Sequence, residues 1–388
     1  MTLLYTANYH ESSKHLQTQI AIFFVPLALC SSNYLNNGNC RILMRYYTGI
    51  LATALFVCLL LASYNYLFEN TQTSVFFYHA LVSPFKQHAV FVSIYVFVAL
   101  VYLLEHIKNG HFFYSRKTHF LLIFYFICCI LLLSSKLVIS FSAGCFLYYF
   151  FLFLKTKIHK RLIIVTSLFA VIVMIVLVLS TQNKISSRFN EVLSGNLNIV
   201  EQQNFSPSTY FNGVQFRLLQ GRFVKEIVTD RQAWLTGVAD SAQILLDKKY
   251  ISTHMYTGSI NAETRGYLGY NTHDQFLQSL LQAGMPGLLA FILVCAAMIK
   301  LVSKMRSREL AIIVLLLIAY CFNEAVFETQ YGIMLFTFFP LFFYYGSEKM
   351  NLDNSIENSG QARRPSKIKK PYGPKRVGSA ALHRCWNR

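Results

Sequence analysis

His273 stands in NTHDQFLQSLLQAGMPGLLAF, a stretch that begins polar and ends apolar. An imidazole is the side chain best suited to take a proton from an alcohol near neutral pH. Thr272 followed by Gln275 has the T-x-x-Q form of a capping box, which predicts a helix beginning at His273. In that first turn the positive end of the helix macrodipole opposes protonation of the ring. A neutral imidazole there can accept a proton from a hydroxyl while the free backbone N–H groups attract an anion. The plain alternative is a capping or packing histidine. Arg217, in QFRLLQGRF, is the second candidate. Its planar guanidinium fork suits a phosphate clamp, and the plain alternative is a solvated surface arginine.

Both residues need elements to hold them. VQFRLLQGRFVKEIVTDRQAWLTG predicts an amphipathic helix with Phe216, Leu219, Phe223, Ile227 and Val228 on one face. Arg217 and Phe216 are expected in its first turn, where a cation does not help the macrodipole. The stretch from Val238 to Tyr270 shows no clear period and reads as a mobile loop. Its Tyr250, Tyr256, Tyr267 and Tyr270 could stack on sugar rings or sit at a membrane interface. After His273, Phe276, Leu277, Leu280 and Leu281 form one helix face and Asp274, Gln278 and Gln282 the other. Gly284 should end that short helix and Pro286 open the next.

The next helix is a membrane span, and composition says it has company. With 54% hydrophobic and 13% charged residues in 388, the chain is too apolar for an ordinary soluble protein. Mean hydropathy is +0.41. Windows of about 19 residues place nine spans, at roughly 19–35, 46–67, 88–105, 119–134, 137–154, 161–181, 286–302, 310–327 and 330–346. The fourth and fifth are separated only by Ser134, Ser135 and Lys136, which reads as a tight hairpin. The expected fold class is therefore all-α, a polytopic bundle with one large external loop containing short helices. Its parts are N-terminal membrane helices over 1–181, the loop over 182–285, C-terminal membrane helices over 286–346 and a basic disordered tail over 347–388.

Lysine and arginine set the orientation. They crowd the connections at Arg41 and Arg45, at Lys108, Arg116 and Lys117, at Lys155 to Arg161, and at Lys300 to Arg308, and ten more lie after Gly346. The positive-inside rule puts these in the cytoplasm and the loop outside. Much of the net charge of +18 is thus topology, and nucleic acid is not needed to explain it. The tail QARRPSKIKKPYGPKRVGSAALHRCWNR suits anionic lipid. Residues 182–272 of the loop hold nine cations against seven acids and no cysteine. Neither a disulfide framework nor a Cys/His metal spacing is present in the sequence.

Arg217 in QFRLLQGRF, His273 in NTHDQFLQSLLQAGMPGLLAF, and Asn323 with Glu324 in CFNEAVFETQYGIMLFTFFP together resemble the O-antigen ligase and O-antigen polymerase family. The resemblance covers roughly residues 75 to 346. It implies a GT-C-like glycosyltransferase of the bacterial inner membrane with its active site on the periplasmic side. The donor it implies is an undecaprenyl-diphosphate-linked glycan; the acceptor is a lipid A core sugar or another glycan. Carried over by position, His273 is the general base and Arg217 binds the donor diphosphate. The family's second arginine, in an S-R setting, corresponds to Lys136 after Ser135, which keeps the charge and loses the fork. Arg222 is a further candidate for the same diphosphate. The resemblance implies no metal and no cofactor, since cationic side chains do the neutralising. A protein O-oligosaccharyltransferase of the same architecture and a non-enzymatic flippase or transporter are the other readings.

Overall fold

The computed structural model describes residues 16–31, 34–69, 71–108, 114–155, 197–205, 211–255 and 266–362, with Ser13, Phe112 and Thr209 as single positions. The expected span 161–181, Tyr256 and the tail from 363 lie outside these residues. Among them every regular element is helical. The order is α1 (Ala21–Ser31), α2 (Asn37–Phe68), α3 (Tyr78–Val82), α4 (Ala89–Lys108), α5 (Arg116–Leu133), α6 (Lys136–Lys155), α7 (Gly213–Asp230), α8 (Ala242–Ser252), α9 (Gln275–Met305), α10 (Arg308–Cys321) and α11 (Gln330–Ala362).

Among the described residues four helices are long and apolar enough to cross a membrane: α2 from Gly38, α4, α5 and α9. The apolar helices Leu16–Ser31 and Lys136–Leu152 are shorter. With 14 residues, α10 reaches about 21 Å, against a hydrocarbon core of about 30 Å. The expected span 310–327 therefore ends as helix at Cys321. Residues 322–329 leave the helix because their backbone and side chains are engaged by the loop.

Within the bundle α4 is central, with 78% of its apolar window buried, whereas α2 and α9 each bury 17% and turn most of their apolar surface outward. The His119 ring near the start of α5 meets the Leu103 carbonyl near the end of α4 at 3.0 Å, so the two run antiparallel. Ser134, left-handed at φ 52°, closes α5, and α6 starts at once with Lys136, which is the expected hairpin. At one end of the bundle Glu105 gathers the Tyr149 hydroxyl at 2.8 Å, Lys108 at 3.1 Å and Arg308 at 3.6 Å. The end of α4, the later part of α6 and the start of α10 thus share one end. His88, Lys136 and residues 322–329 belong to the other.

The loop folds on a core of its own. Asn212 caps α7, accepting from the Val214 and Gln215 amides, while the Gln215 side chain accepts from the Asn212 amide. All five apolar positions expected on the inner face are buried. Phe223 and Leu246 have no exposure, and each such burial stabilises by about 1.5–3 kcal/mol. The stretch expected to be an aperiodic loop contains α8. Ala242, Leu246 and Tyr250 recur every four residues and bury that face. Lys249 fixes α8 to α7 through Glu226 at 3.0 Å and Asp230 at 3.3 Å.

Leu281 belongs to this loop core, yet Phe276 and Phe291 pack with the bundle. The helix that spans both changes direction at Ala283 and Gly284, whose backbones are non-helical, as Gly284 and Pro286 led one to expect. The 234–238 turn sits in the kink: the Met285 amide donates to the Trp234 carbonyl at 2.7 Å, and the Val238 amide to the Leu281 carbonyl at 2.8 Å. Gly237 has φ +67°, and a Cβ there would lie 2.4 Å from the Ala283 amide nitrogen and the Gln282 carbonyl. We expect Gly237→Ala to destabilise the loop by about 3 kcal/mol, the sum of a left-handed alanine and a backbone clash. Limited proteolysis of the detergent-solubilised protein checks this; cleavage in the loop no faster than wild type would contradict it.

Candidate active site

The site is built where the loop core meets the outer turn of the bundle. Residues 271–274 form the first wall. Asn271 accepts from the His273 amide at 2.9 Å, and the Thr272 hydroxyl donates to the Asp274 carbonyl at 2.8 Å. The N-cap of α9 is Asp274, whose carboxylate accepts from the Leu277 amide at 3.0 Å. The capping box expected from Thr272 and Gln275 does not form, and His273 lies ahead of the helix rather than in its first turn. An aspartate two residues further along the chain is a strong cap, and Gln275 is drawn elsewhere. Its Oε1 accepts from the Phe327 amide at 2.7 Å and its amide nitrogen donates to Ser279 at 3.1 Å.

His273 takes a left-handed backbone, φ +46°, a region that histidine enters more readily than most residues. This turn swings the ring off the helix axis to Glu324, with Nδ1 3.3 Å from Oε2. The imidazole is 30% exposed and the carboxylate 18%. A carboxylate at Nδ1 selects the tautomer that carries its proton there and leaves the Nε2 lone pair outward. The same carboxylate stabilises the imidazolium that would form once Nε2 takes a proton. The orienting group is therefore Glu324, in place of the helix dipole that the sequence pointed to.

Arg217 comes from α7. With Gly213 as the first residue of that helix, Arg217 is the fifth and lies in its second turn, so the macrodipole objection loses most of its force. Its Nη1 donates to the Gly213 carbonyl at 2.8 Å and its Nη2 to the Asn323 carbonyl at 3.1 Å. Asn323 follows the C-terminus of α10, where a cation is favoured. Those bonds use two of the five guanidinium N–H groups. Nε is buried and finds no partner among the described residues. Burial lowers the pKa of Arg217, opposed by the Glu324 and Asp274 carboxylates. Burial likewise raises that of Asp274 against its backbone hydrogen bonds and Arg217.

Two more contacts fasten the loop to the bundle: Gln282 donates to Glu328 at 2.9 Å, and the Phe276 and Phe322 rings stack at 4.4 Å. Within the loop, Phe216 meets the His273 ring edge-on at 5.8 Å. His88, just before α4, feels the charges of both Glu324 and His273; its pKa is lowered chiefly by burial. No group of three or more His, Cys, Asp or Glu side chains placed to hold a metal occurs among the described residues.

No protein-family model and no curated protein matches the chain.

Of the sequence candidates, the structure brings His273 and Arg217 together on the adjacent residues Glu324 and Asn323. Lys136 enters from another element, as the first residue of α6, at the same end of the bundle. Arg222 lies five positions beyond Arg217, about 140° round α7. Its guanidinium donates to Glu226 at 2.7 Å, to the Val200 and Gln202 carbonyls at 2.8 and 2.7 Å, and to Gln203 at 3.0 Å. It staples the Leu197–Glu201 turn to α7, a structural duty beside the diphosphate role expected for it. Tyr250 falls out: it is fully buried, its hydroxyl donating to the Tyr270 carbonyl at 3.0 Å. Glu324 was visible in the sequence only as part of a motif. Its partner lies 51 residues away, a distance no local pattern bridges.

Proposed function

We propose that the protein is an integral membrane glycosyltransferase that moves a glycan from an undecaprenyl diphosphate to an acceptor hydroxyl, as an O-antigen ligase does. The observation that carries this reading is the His273–Glu324 pair beside the half-buried Arg217, at the end of a helical bundle. A lipid-linked donor keeps its diphosphate at headgroup depth, so a base and an anion clamp fixed at a bundle end are placed for it. In the reaction, His273 Nε2 takes the acceptor's proton as the acceptor oxygen bonds to the anomeric carbon. The bond from that carbon to the diphosphate oxygen breaks, its electron pair leaves with the oxygen, and Arg217 stabilises the resulting anion. Attack opposite the leaving group inverts the anomeric configuration.

The layout that goes with this function is a GT-C-like bundle of nine spans in the bacterial inner membrane, with the His273 end periplasmic. Supporting it, Lys108 and Arg308 share the opposite end of the bundle, where positive charge belongs in the cytoplasm. A lipid A core sugar is the acceptor in this reading, and an undecaprenyl-linked repeat unit is the acceptor if the enzyme polymerises. A flippase has no need of a carboxylate-oriented imidazole. The test is transfer of a radiolabelled glycan from undecaprenyl diphosphate to lipid A core in proteoliposomes. Transferred product supports the proposal; movement of the lipid across the bilayer without transfer to any acceptor would replace it with a flippase.

A further inference from the structure

Around the His273 ring the loop places aromatic side chains. Tyr270 is 5.5 Å away at 70°, Phe216 is 5.8 Å away at 61°, and Phe216 stacks on Tyr267 at 4.9 Å and 22°. Tyr270 closes the group, edge-on to Phe216 at 6.0 Å and to Tyr267 at 5.7 Å. Phe216 is 7% exposed, whereas Tyr270 is 45% exposed. The backbone of Tyr270 is held from beneath: its carbonyl accepts from the buried Tyr250 hydroxyl at 3.0 Å and from Gln243 at 3.2 Å.

A tyrosine anchoring a protein to lipid has no reason to be braced from below and packed edge-on to an imidazole. A rigid aromatic with one open side, next to a base that must receive a hydroxyl, is a platform for the molecule bearing that hydroxyl. We propose that Tyr270, backed by Phe216 and Tyr267, is the acceptor subsite, on which the apolar C–H face of a pyranose ring lies while one of its hydroxyls points to His273 Nε2. The acceptor is a sugar in this reading, and not the serine or threonine of a protein, which offers no ring face. The inference rests on His273 being the base of the proposed transferase.

Its test has one arm that needs no catalysis. Saturation-transfer NMR on the full chain in detergent micelles, with methyl hexopyranosides as probes, should show transfer to the C–H protons of one sugar face. Tyr270→Phe should keep the signal. Tyr270→Leu, which keeps apolar bulk but has no ring, should weaken binding about ten-fold, the scale of one aromatic contact. In the transfer assay the same variant should raise the acceptor KM about as much with kcat little changed. An unchanged signal and an unchanged KM in Tyr270→Leu would overturn the platform and leave the His273 assignment standing. No sugar signal from wild type would overturn it as well. A ring-dependent signal in a protein with no transferase activity would keep the sugar site and sink the transferase. His273→Ala should abolish transfer and leave the NMR signal.

Discussion

His273→Gln will lower glycosyl transfer by about 10²- to 10⁴-fold, the range a positioned general base supplies. Glutamine keeps the size and can still hydrogen-bond to Glu324, so the 271–274 turn and the Asp274 cap should survive. The loss should fall on kcat, because the proton is moved only as the acceptor oxygen attacks. Glu324→Gln isolates the orienting role. The imidazole remains, but the carboxylate that selects its tautomer and stabilises its protonated form does not, so the loss should be smaller than that of His273→Gln. Single-turnover transfer in proteoliposomes measures both, with insertion checked by proteolysis. A His273→Gln enzyme with wild-type kcat would remove the base from the mechanism, however well placed it is beside Glu324.

That pairing also shows what a sequence can and cannot tell about such a site. The inner face of α7, the break at Gly284 and Pro286, and the hairpin at Ser134 to Lys136 were legible because each follows from local periodicity or turn chemistry. The helix α8 carried a legible signal too, Ala242, Leu246 and Tyr250, drowned by the polar residues between them. The sequence offers two capping groups for α9, Thr272 and Asp274, two residues apart, and only tertiary demand on Gln275 from Phe327 decides between them. Hydropathy counts residues 322–327 into a span because they are apolar enough, and leaves 328 and 329 as the gap before the next. In the structure residues 322–329 form the turn on which Arg217, Gln275 and His273 converge. Hydropathy records how apolar a residue is and not which distant donor needs its carbonyl. For that reason His273 and Arg217 could be picked out singly as candidates, but the pairing of Glu324 with His273 could not.

Arg217→Ala should lower transfer by about 10²- to 10³-fold, as removing a preorganised donor to a developing oxyanion does. It should also loosen the loop, because the hydrogen bond from a charged group to the Asn323 carbonyl contributes about 1.5–3 kcal/mol. These effects must be separated, and Arg217→Lys does so. Lysine retains the charge that Glu324 and Asp274 face and can reach one carbonyl, so much of the anchoring stays. What it lacks is the planar fork, and with it the second donor able to meet a diphosphate oxygen while the first holds the bundle. We therefore expect Arg217→Lys to resist loop proteolysis nearly as wild type does, yet to transfer glycan about ten-fold or more slowly. Its donor KM should rise as well, and inorganic pyrophosphate should inhibit it less. If Arg217→Lys transfers at the wild-type rate, the arginine is an anchor between α7 and the end of α10, and the diphosphate must be held by other cations, with Lys136 at the same end of the bundle the next to test.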